Sequence, residues 1–382
     1  MNILVLSWRD PKHPQSGGAE QVMHEHMKGW VENGHKVILI SSFYKGCKKK
    51  EVLDGVIIER MGLQLVGVQI SAFFWYIFKR NIKFDLIIDQ FHGLPFFTPL
   101  YVRVPIVAVV QEVAKEVWLN NQLPKPFNFV IGHIGYFGEP FLYYLYKKNI
   151  FPGSRNVNFM TGSESAKKDL IKIGIDRNYI EVVNHGIEKQ GKFEKSSKEK
   201  NKTITFLGAV TRDKGIIDAL NVFRELSKIG NYYFWLIGKI GIGFDQELFA
   251  LIDEYGLTNR IKIWGYVEKS KKYNLLSRSH VLINPSIHEG FGLVNIEANS
   301  VGTPVVGYKV GGLVDSVKDQ FSGVLVNKNK SKLLAKEIDK LLKNKNKYKA
   351  MTQTCVKWAA NFTWPVSKRK SLLLIKYVAK LK

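Results

Sequence analysis

Short β-branched runs alternate with longer amphipathic stretches along almost the whole chain. In the first half the runs are Ile3–Ser7, Lys36–Ser41, Val56–Arg60, Asp85–Asp89, Pro105–Val110, Val157–Thr161 and Ile180–Val183. In the second half they are Thr203–Gly208, Tyr232–Gly238, Ile261–Trp264, His280–Asn284, Thr303–Gly307 and Gly323–Val326. Strands separated by helices rejoin a sheet as parallel crossovers, so the pattern predicts an α/β protein with parallel sheets. Between the two sets, Glu188–Lys202 is polar and lysine-rich, has no apolar period, and reads as an interdomain linker. After Lys328 two helical stretches follow, and Trp364-Pro365 breaks the last of them.

The 382 residues are too many for one compact core and fit two domains of ordinary size. Two Rossmann-like domains facing a cleft, 1–186 and 187–364, are the simplest architecture. Apolar residues at 45% and aromatics at 12% exclude a disordered or fibrous chain. Cys47 and Cys355 are the only cysteines, which excludes a disulfide framework and suits a reducing compartment. Met1–Ser7 is apolar without a basic leader, so it reads as a first strand and a cytoplasmic location is expected.

The formal charge is +24, of which residues 1–186 carry +6 and residues 187–382 carry +18. Lysine outnumbers arginine 46 to 11, whereas readers of nucleic acid lean on arginine for bidentate contacts. No aromatic-basic RNA motif accompanies the charge, and no nucleic-acid partner is expected. Runs such as Ser196–Lys202 and Lys340–Lys349 read as surface composition.

Met61–Phe78 is the longest uncharged run and touches the ~18-residue length of a spanning helix. It carries Gly62, Gln64, Gly67, Gln69 and Ser71, so no span is expected. Ile70, Phe73, Phe74 and Ile77 follow helical spacing and are expected to face a core. Trp75 and Phe78 fall on another face beside Lys79, Arg80 and Lys83, as in a helix lying on a membrane surface. Pro124–Phe151 repeats the theme, with aromatics around Lys125, Lys147, Lys148 and Arg155. Peripheral contact with an anionic surface and an aromatic lining or core are both open.

The most informative segment is Pro285-Ser-Ile-His-Glu-Gly-Phe-Gly-Leu-Val-Asn-Ile-Glu-Ala298, which directly follows a strand. Such strand-to-helix crossings bind anions. Gly290 and Gly292 let the backbone approach a ligand, and unpaired N–H groups at the helix start can hold a phosphate. Glu289 and Glu297 lie eight apart, just over two helical turns. With a helix starting near Leu293, Glu289 sits on the loop and Glu297 one turn inside, where two carboxylates could bind sugar hydroxyls. A glycine-rich turn with a capping glutamate is the plain alternative.

Glu289-x7-Glu297 within this segment resembles the signature of retaining family 4 glycosyltransferases, which have the GT-B fold. Gly302-Thr-Pro-Val-Val306, Gly311-Gly312…Asp315 and Gly323-Val-Leu-Val326 continue the resemblance in order. Phe206-Leu-Gly208…Lys214-Gly215 resembles the family's donor-phosphate loop, with Gly238…Gly241 and Trp264-Gly-Tyr-Val267 matching its next strands. Ser16-Gly-Gly-Ala-Glu20 resembles its loop after the first strand, and Pro95–Pro99 and Ala114–Trp118 resemble one subset of members.

The resemblance implies metal-free, retaining transfer from a UDP- or GDP-linked sugar to a glycan or lipid-linked acceptor, as in polysaccharide or glycolipid synthesis. It implies a donor held by Gly208, Gly290, Phe291, Gly292, Leu293 and Glu297, with Glu297 on the ribose hydroxyls. Glu289 would lie against the donor sugar, and Lys214 would neutralise the diphosphate as the bond breaks. Gly17 and Gly18 would approach from the opposite domain, so that closure completes the site. The C-terminal helix, about 365–382, is expected to pack back on the first domain. No Asp-x-Asp pair or close His/Cys/Asp cluster offers a metal site in the sequence.

Three departures stand out. Ala209 replaces the arginine usual after Gly208, and Arg212 is the candidate to supply that charge. Gln111, beside Glu112, replaces a histidine that contacts the donor sugar, and glutamine cannot titrate. His185 replaces a common asparagine before Gly186, as a candidate cleft or hinge residue. His92 resembles a loop histidine of the family. A catalytically impaired sugar-nucleotide-binding protein and a GT-B sugar-nucleotide epimerase are the alternative functions.

Overall fold

The computed structural model describes residues 1–64, 66–78, 82–91, 93–113, 118, 127–147, 157–188, 196–327 and 329–381. The chain divides into two compact units, Met1–Gly186 with Trp364–Lys382, and Ile187–Thr363.

In the first unit the strands are β1 (Asn2–Leu6), β2 (Lys36–Ser41), β3 (Lys50–Leu53), β4 (Val56–Arg60), β5 (Leu86–Gln90), β6 (Ile106–Val109), β7 (Val157–Thr161) and β8 (Ile180–Val182). They order as β3-β4-β2-β1-β5-β6-β7-β8, parallel throughout except for β3 against β4. Strand β3 was not legible from apolar alternation. Its signal is the Asp54-Gly55 pair, where φ of 48° and 80° makes the two-residue turn that joins antiparallel strands.

Period-two side chains split the core between the two faces of this sheet. Leu4, Leu6, Ile38 and Ile40 meet Val68 and Ala72 of α2 (Val66–Phe78), Tyr143 of α3 (Phe127–Tyr144) and Leu170 of α4 (Glu164–Lys172). Ile3, Val5, Val37 and Leu39 meet Met23, Met27 and Trp30 of α1 (Gly18–Glu32) and Ile375 and Val378 of the C-terminal helix, Trp364–Ala379. Trp30 is fully buried, and its Nε1 donates to Ser371 Oγ at 3.1 Å, tying that helix to α1. Trp364-Pro365 therefore opens a third terminal helix instead of breaking a second. Proline's missing N–H costs nothing in a first turn.

Helix α2 reverses the face expected of it. Val68, Gln69 and Ala72 are buried, whereas Ile70, Phe73 and Phe74 are exposed and Phe78 is 78% exposed. Trp75 turns toward the sheet, with Nε1 donating to Glu59 Oε2 at 2.9 Å. Helix α3 also turns aromatics outward. It buries Gly132, Glu139 and Tyr143 and exposes Phe129, Ile134, Phe137 and Phe141. Glu139 accepts hydrogen bonds from Trp118 Nε1 and Tyr143 OH. Among the described residues, no helix is long and apolar enough to cross a membrane.

In the second unit the strands are β9 (Lys202–Leu207), β10 (Tyr232–Ile237), β11 (Ile261–Gly265), β12 (Val281–Asn284), β13 (Val305–Tyr308) and β14 (Gly323–Val326). Their order, β11-β10-β9-β12-β13-β14, is wholly parallel. This is the doubly wound order, in which the direction of winding reverses between β9 and β12. The helices are α5 (Ile216–Ile229), α6 (Asp245–Glu254), α7 (Lys269–Arg278), α8 (Leu293–Ser300), α9 (Leu313–Ser316), α10 (Ser331–Lys343) and α11 (Lys345–Ala359).

The described part of the expected linker belongs to this fold. Lys198 Nζ donates to Ser279 O at 2.5 Å, Thr303 Oγ1 at 2.8 Å and Gly302 O at 3.3 Å, at the ends of α7 and α8. Burial brings its ammonium down to about 8. Helix C-termini carry partial negative charge, which suits a cation there. Residues 189–195 lie outside the described set.

Candidate donor and sugar site

Ligands of doubly wound sheets bind beyond the carboxyl ends of the strands, where the winding reverses. In the second unit that place lies between β9 and β12. The loop after β9 carries Gly208, Ala209, Arg212 and Lys214, and the loop after β12 carries Pro285 to Gly292. The two loops pack closely, because a Cβ on Gly215 would come within 2.6 Å of Pro285 O.

Helix α8 starts at Leu293, with Gly292 capping it in the left-handed region at φ 83°. A Cβ there would also press to 2.5 Å of Asn295 Nδ2, so the position takes glycine on both counts. A buried polar chain fixes this turn. Asn284 Nδ2 donates to Asn295 Oδ1 at 3.0 Å, Asn295 Nδ2 to Ser316 Oγ at 2.9 Å, and Ser316 Oγ to Gly312 O at 3.1 Å. Gly312 N in turn donates to Glu289 O at 2.7 Å. Asn284, Asn295 and Ser316 were not read as site residues from sequence. The available signal was an asparagine ending an otherwise apolar strand and another inside the signature helix.

Lys214 Nζ lies 3.4 Å from Glu289 Oε2, which brings together the two residues expected to meet the diphosphate and the sugar. Glu297, 7% exposed, accepts from Lys272 Nζ of α7 at 2.5 Å. Lys272 also escaped the sequence reading, since α7 has four lysine or arginine residues and no spacing singles it out. Arg212 is not drawn to this group. It pairs with Glu247 of α6, lies over the Phe244 ring and stays 62% exposed. The Phe291 side chain belongs to the core with Ile187, Ile296 and Phe362, which leaves only its backbone on the loop. Gly208 donates its N–H to Ile237 O at 3.0 Å, so that group is already used.

In the first unit, Gly17 N donates to Glu20 Oε2 at 2.7 Å, while a Cβ on Gly18 would meet nothing within 4 Å. Glu112 is half-buried. His185 Nε2 and Gln111 Oε1 lie 2.8 Å apart, a contact that sequence separation of 74 residues concealed. His92 and residues 114–117 lie outside the described residues. Among the described residues, no three His, Cys, Asp or Glu side chains group to hold a metal ion.

Burial pulls three histidines well below their ordinary value: His26 to about 3, and His185 and His280 to about 4. The unfolded chain then binds more protons than the folded one between the folded values and about pH 6.5. Stability should therefore fall as pH drops through that window. A thermal scan series is expected to lose on the order of 10 °C between about pH 7 and 4.5. A flat Tm across the series would refute the buried neutral histidines.

Two family models match. "Glycosyltransferase Family 4" covers residues 16–190 and "Glycosyl transferases group 1" covers residues 188–358. A D-inositol 3-phosphate glycosyltransferase of Salinispora arenicola is 34% identical over 129 residues, 33% of this chain and 29% of that protein. A 2-deoxystreptamine glucosyltransferase of Streptomyces kanamyceticus is 28% identical over 175 residues, 46% of this chain and 45% of that protein. The chain thus spans less than half the length of the curated relatives it matches. Among solved structures, sucrose-phosphate synthase from Thermosynechococcus elongatus superposes with a TM-score of 0.81 at 16% identity, covering 100% of both chains. Anabaena HepE in complex with UDP and glucose gives 0.75 at 16% identity, covering 99% of this chain and 100% of that one.

Proposed function

The chain belongs to the family 4 glycosyltransferases, with the GT-B fold, and from that premise we propose that it is a retaining, metal-independent glycosyltransferase. Its donor is a UDP- or GDP-linked sugar, and its acceptor is a glycan or lipid-linked glycan of cell-surface polysaccharide or glycolipid synthesis. The observation that carries this reading is the ring of groups at the β9/β12 reversal: Lys214 beside Glu289, the open start of α8, and Glu297 one turn inside. HepE crystals hold UDP and UDP-glucose, which supports a uridine donor here.

In the proposed step the bond from the anomeric carbon to the donor diphosphate breaks, and the acceptor oxygen bonds to that carbon on the same face. The acceptor proton passes to a donor phosphate oxygen. Lys214 stabilises the charge that grows on the diphosphate, and Arg212 joins it only by leaving Glu247. Glu289 orients the sugar and Glu297 the ribose diol. A proton NMR time course of the transfer product tests the stereochemistry: an α-linked sugar from an α-linked donor supports retention, and a β-linked product refutes it. Undiminished turnover with excess EDTA supports the metal-independent part, and loss restored by a divalent cation refutes it.

We also assign the outward aromatic faces of α2 and α3 to peripheral contact with an anionic membrane, on the cytoplasmic side. A helix that buries glycine and glutamate while exposing Phe129, Phe137 and Phe141 is inverted for a protein in water. Flanking segments add Lys83, Arg103 and Lys147. Vesicles containing anionic lipid should float the chain, and replacing Phe74, Phe137 and Phe141 by serine should weaken this at least roughly tenfold. Equal absence of flotation with anionic and neutral vesicles would overturn the assignment.

A further inference from the structure

We infer that His185 holds the Gln111 carboxamide in one orientation, so that position 111 offers a substrate a fixed contact in place of a titrating one. This rests on the glycosyltransferase reading and identifies a positioning residue within it. The three residues concerned follow adjacent strands at their carboxyl ends: Gln111 after β6, Gly162 after β7 and His185 after β8. The His185 ring reaches across Gly162 to Gln111, with Nε2 at 2.8 Å from Oε1. A carboxamide oxygen can only accept, so Nε2 carries the proton and donates.

Glycine at 162 is what allows the crossing, because a Cβ there would come within 2.2 Å of His185 Nε2. The chain just before the ring is pinned from both sides. Asn184 Nδ2 donates to Gly162 O at 3.1 Å, and Ser367 Oγ of the C-terminal helix donates to Asn184 O at 2.7 Å. Buried His26 of α1 is a titratable neighbour that interacts with the ring. Burial keeps the ring uncharged at ordinary pH.

With one lone pair of its oxygen held by His185, Gln111 keeps both amide hydrogens for a ligand. They select an acceptor atom, such as a sugar hydroxyl, carboxylate or phosphate oxygen. A histidine at 111 would change charge within the physiological range. Gln111 does not, and His185 keeps it turned one way.

The test measures kcat and KM for a nucleotide sugar across about pH 5.5 to 8 in wild type, H185A, H185Q, Q111A and the double variant H185A/Q111A. Loss of a positioned hydrogen bond predicts that H185A and Q111A each lose about tenfold in kcat/KM, that the double variant is no worse than Q111A, and that H185Q regains activity through its amide donor. Ring ¹⁵N shifts should show His185 as the Nε2–H tautomer throughout, changing in Q111A. Multiplying losses, a wild-type H185A, or a His185 ring protonated on Nδ1 alone would overturn the inference. H185Q and Q111A keep the test open if H185A fails to fold. Absence of turnover in the wild type sinks the glycosyltransferase reading itself, whereas turnover with multiplying losses sinks only the role of His185.

Discussion

Alanine in place of Lys214 is expected to lower turnover roughly 10²–10³-fold, the scale of losing one preorganised charge at a developing anion. Lys214 comes from the loop between β9 and α5 and reaches Glu289 at 3.4 Å, half-exposed and at the point where the sheet's winding reverses. The charge on a departing diphosphate grows as the bond breaks, so kcat should fall more than donor affinity. The loop itself is held by Ser286 Oγ donating to Lys214 O at 3.4 Å and by the fit of Gly215 against Pro285, neither of which needs the lysine side chain. Folding is therefore expected to survive. A variant with near-wild-type kcat would remove Lys214 from the chemistry.

Alanine at Glu297 should act on binding instead. A carboxylate that takes two ribose hydroxyls loses charge-assisted hydrogen bonds worth about 1.5–3 kcal/mol on truncation, which predicts donor affinity roughly 10–100-fold weaker. Lys272, now 2.5 Å from Glu297, would be left without that carboxylate. E297Q keeps the shape and should lose less. Calorimetric titration with the preferred nucleotide sugar reads both, and unchanged affinity in E297A would show that the ribose is held elsewhere.

The strand alternation carried most of the architecture, because a parallel strand buried on both faces is a continuous apolar run that stands out against polar turns. What it missed were features whose signal lies outside apolar period. Strand β3 begins with Lys50-Glu51 and is betrayed only by Asp54-Gly55. The face of α2 was misjudged because large aromatics ordinarily point inward, and here Val68, Gln69 and Ala72 do. Lys198 looked like linker because its lysine-rich surroundings hide a side chain buried against three acceptors.

At the site, residues adjacent in sequence to the glycine loops were legible, since helix starts and close backbone approach leave local marks. Partners brought from other strands were not. The contacts of Lys272 with Glu297, Asn295 with Ser316, and His185 with Gln111 span 25, 21 and 74 residues. Phe291 contributes its backbone alone to the loop. It sits inside a signature, yet its side chain serves the core.

The most direct measurement is thermal unfolding of the chain with a panel of UDP- and GDP-linked sugars, each supplied in excess. A donor at 100 times its dissociation constant should stabilise by about 2.7 kcal/mol, and the same donor should be hydrolysed or transferred when a lipid extract supplies acceptors. Stabilisation by one nucleotide sugar, weakened in E297A, is the predicted result. No shift with any member of the panel, and no turnover of any, would contradict a nucleotide-sugar site at the β9/β12 reversal.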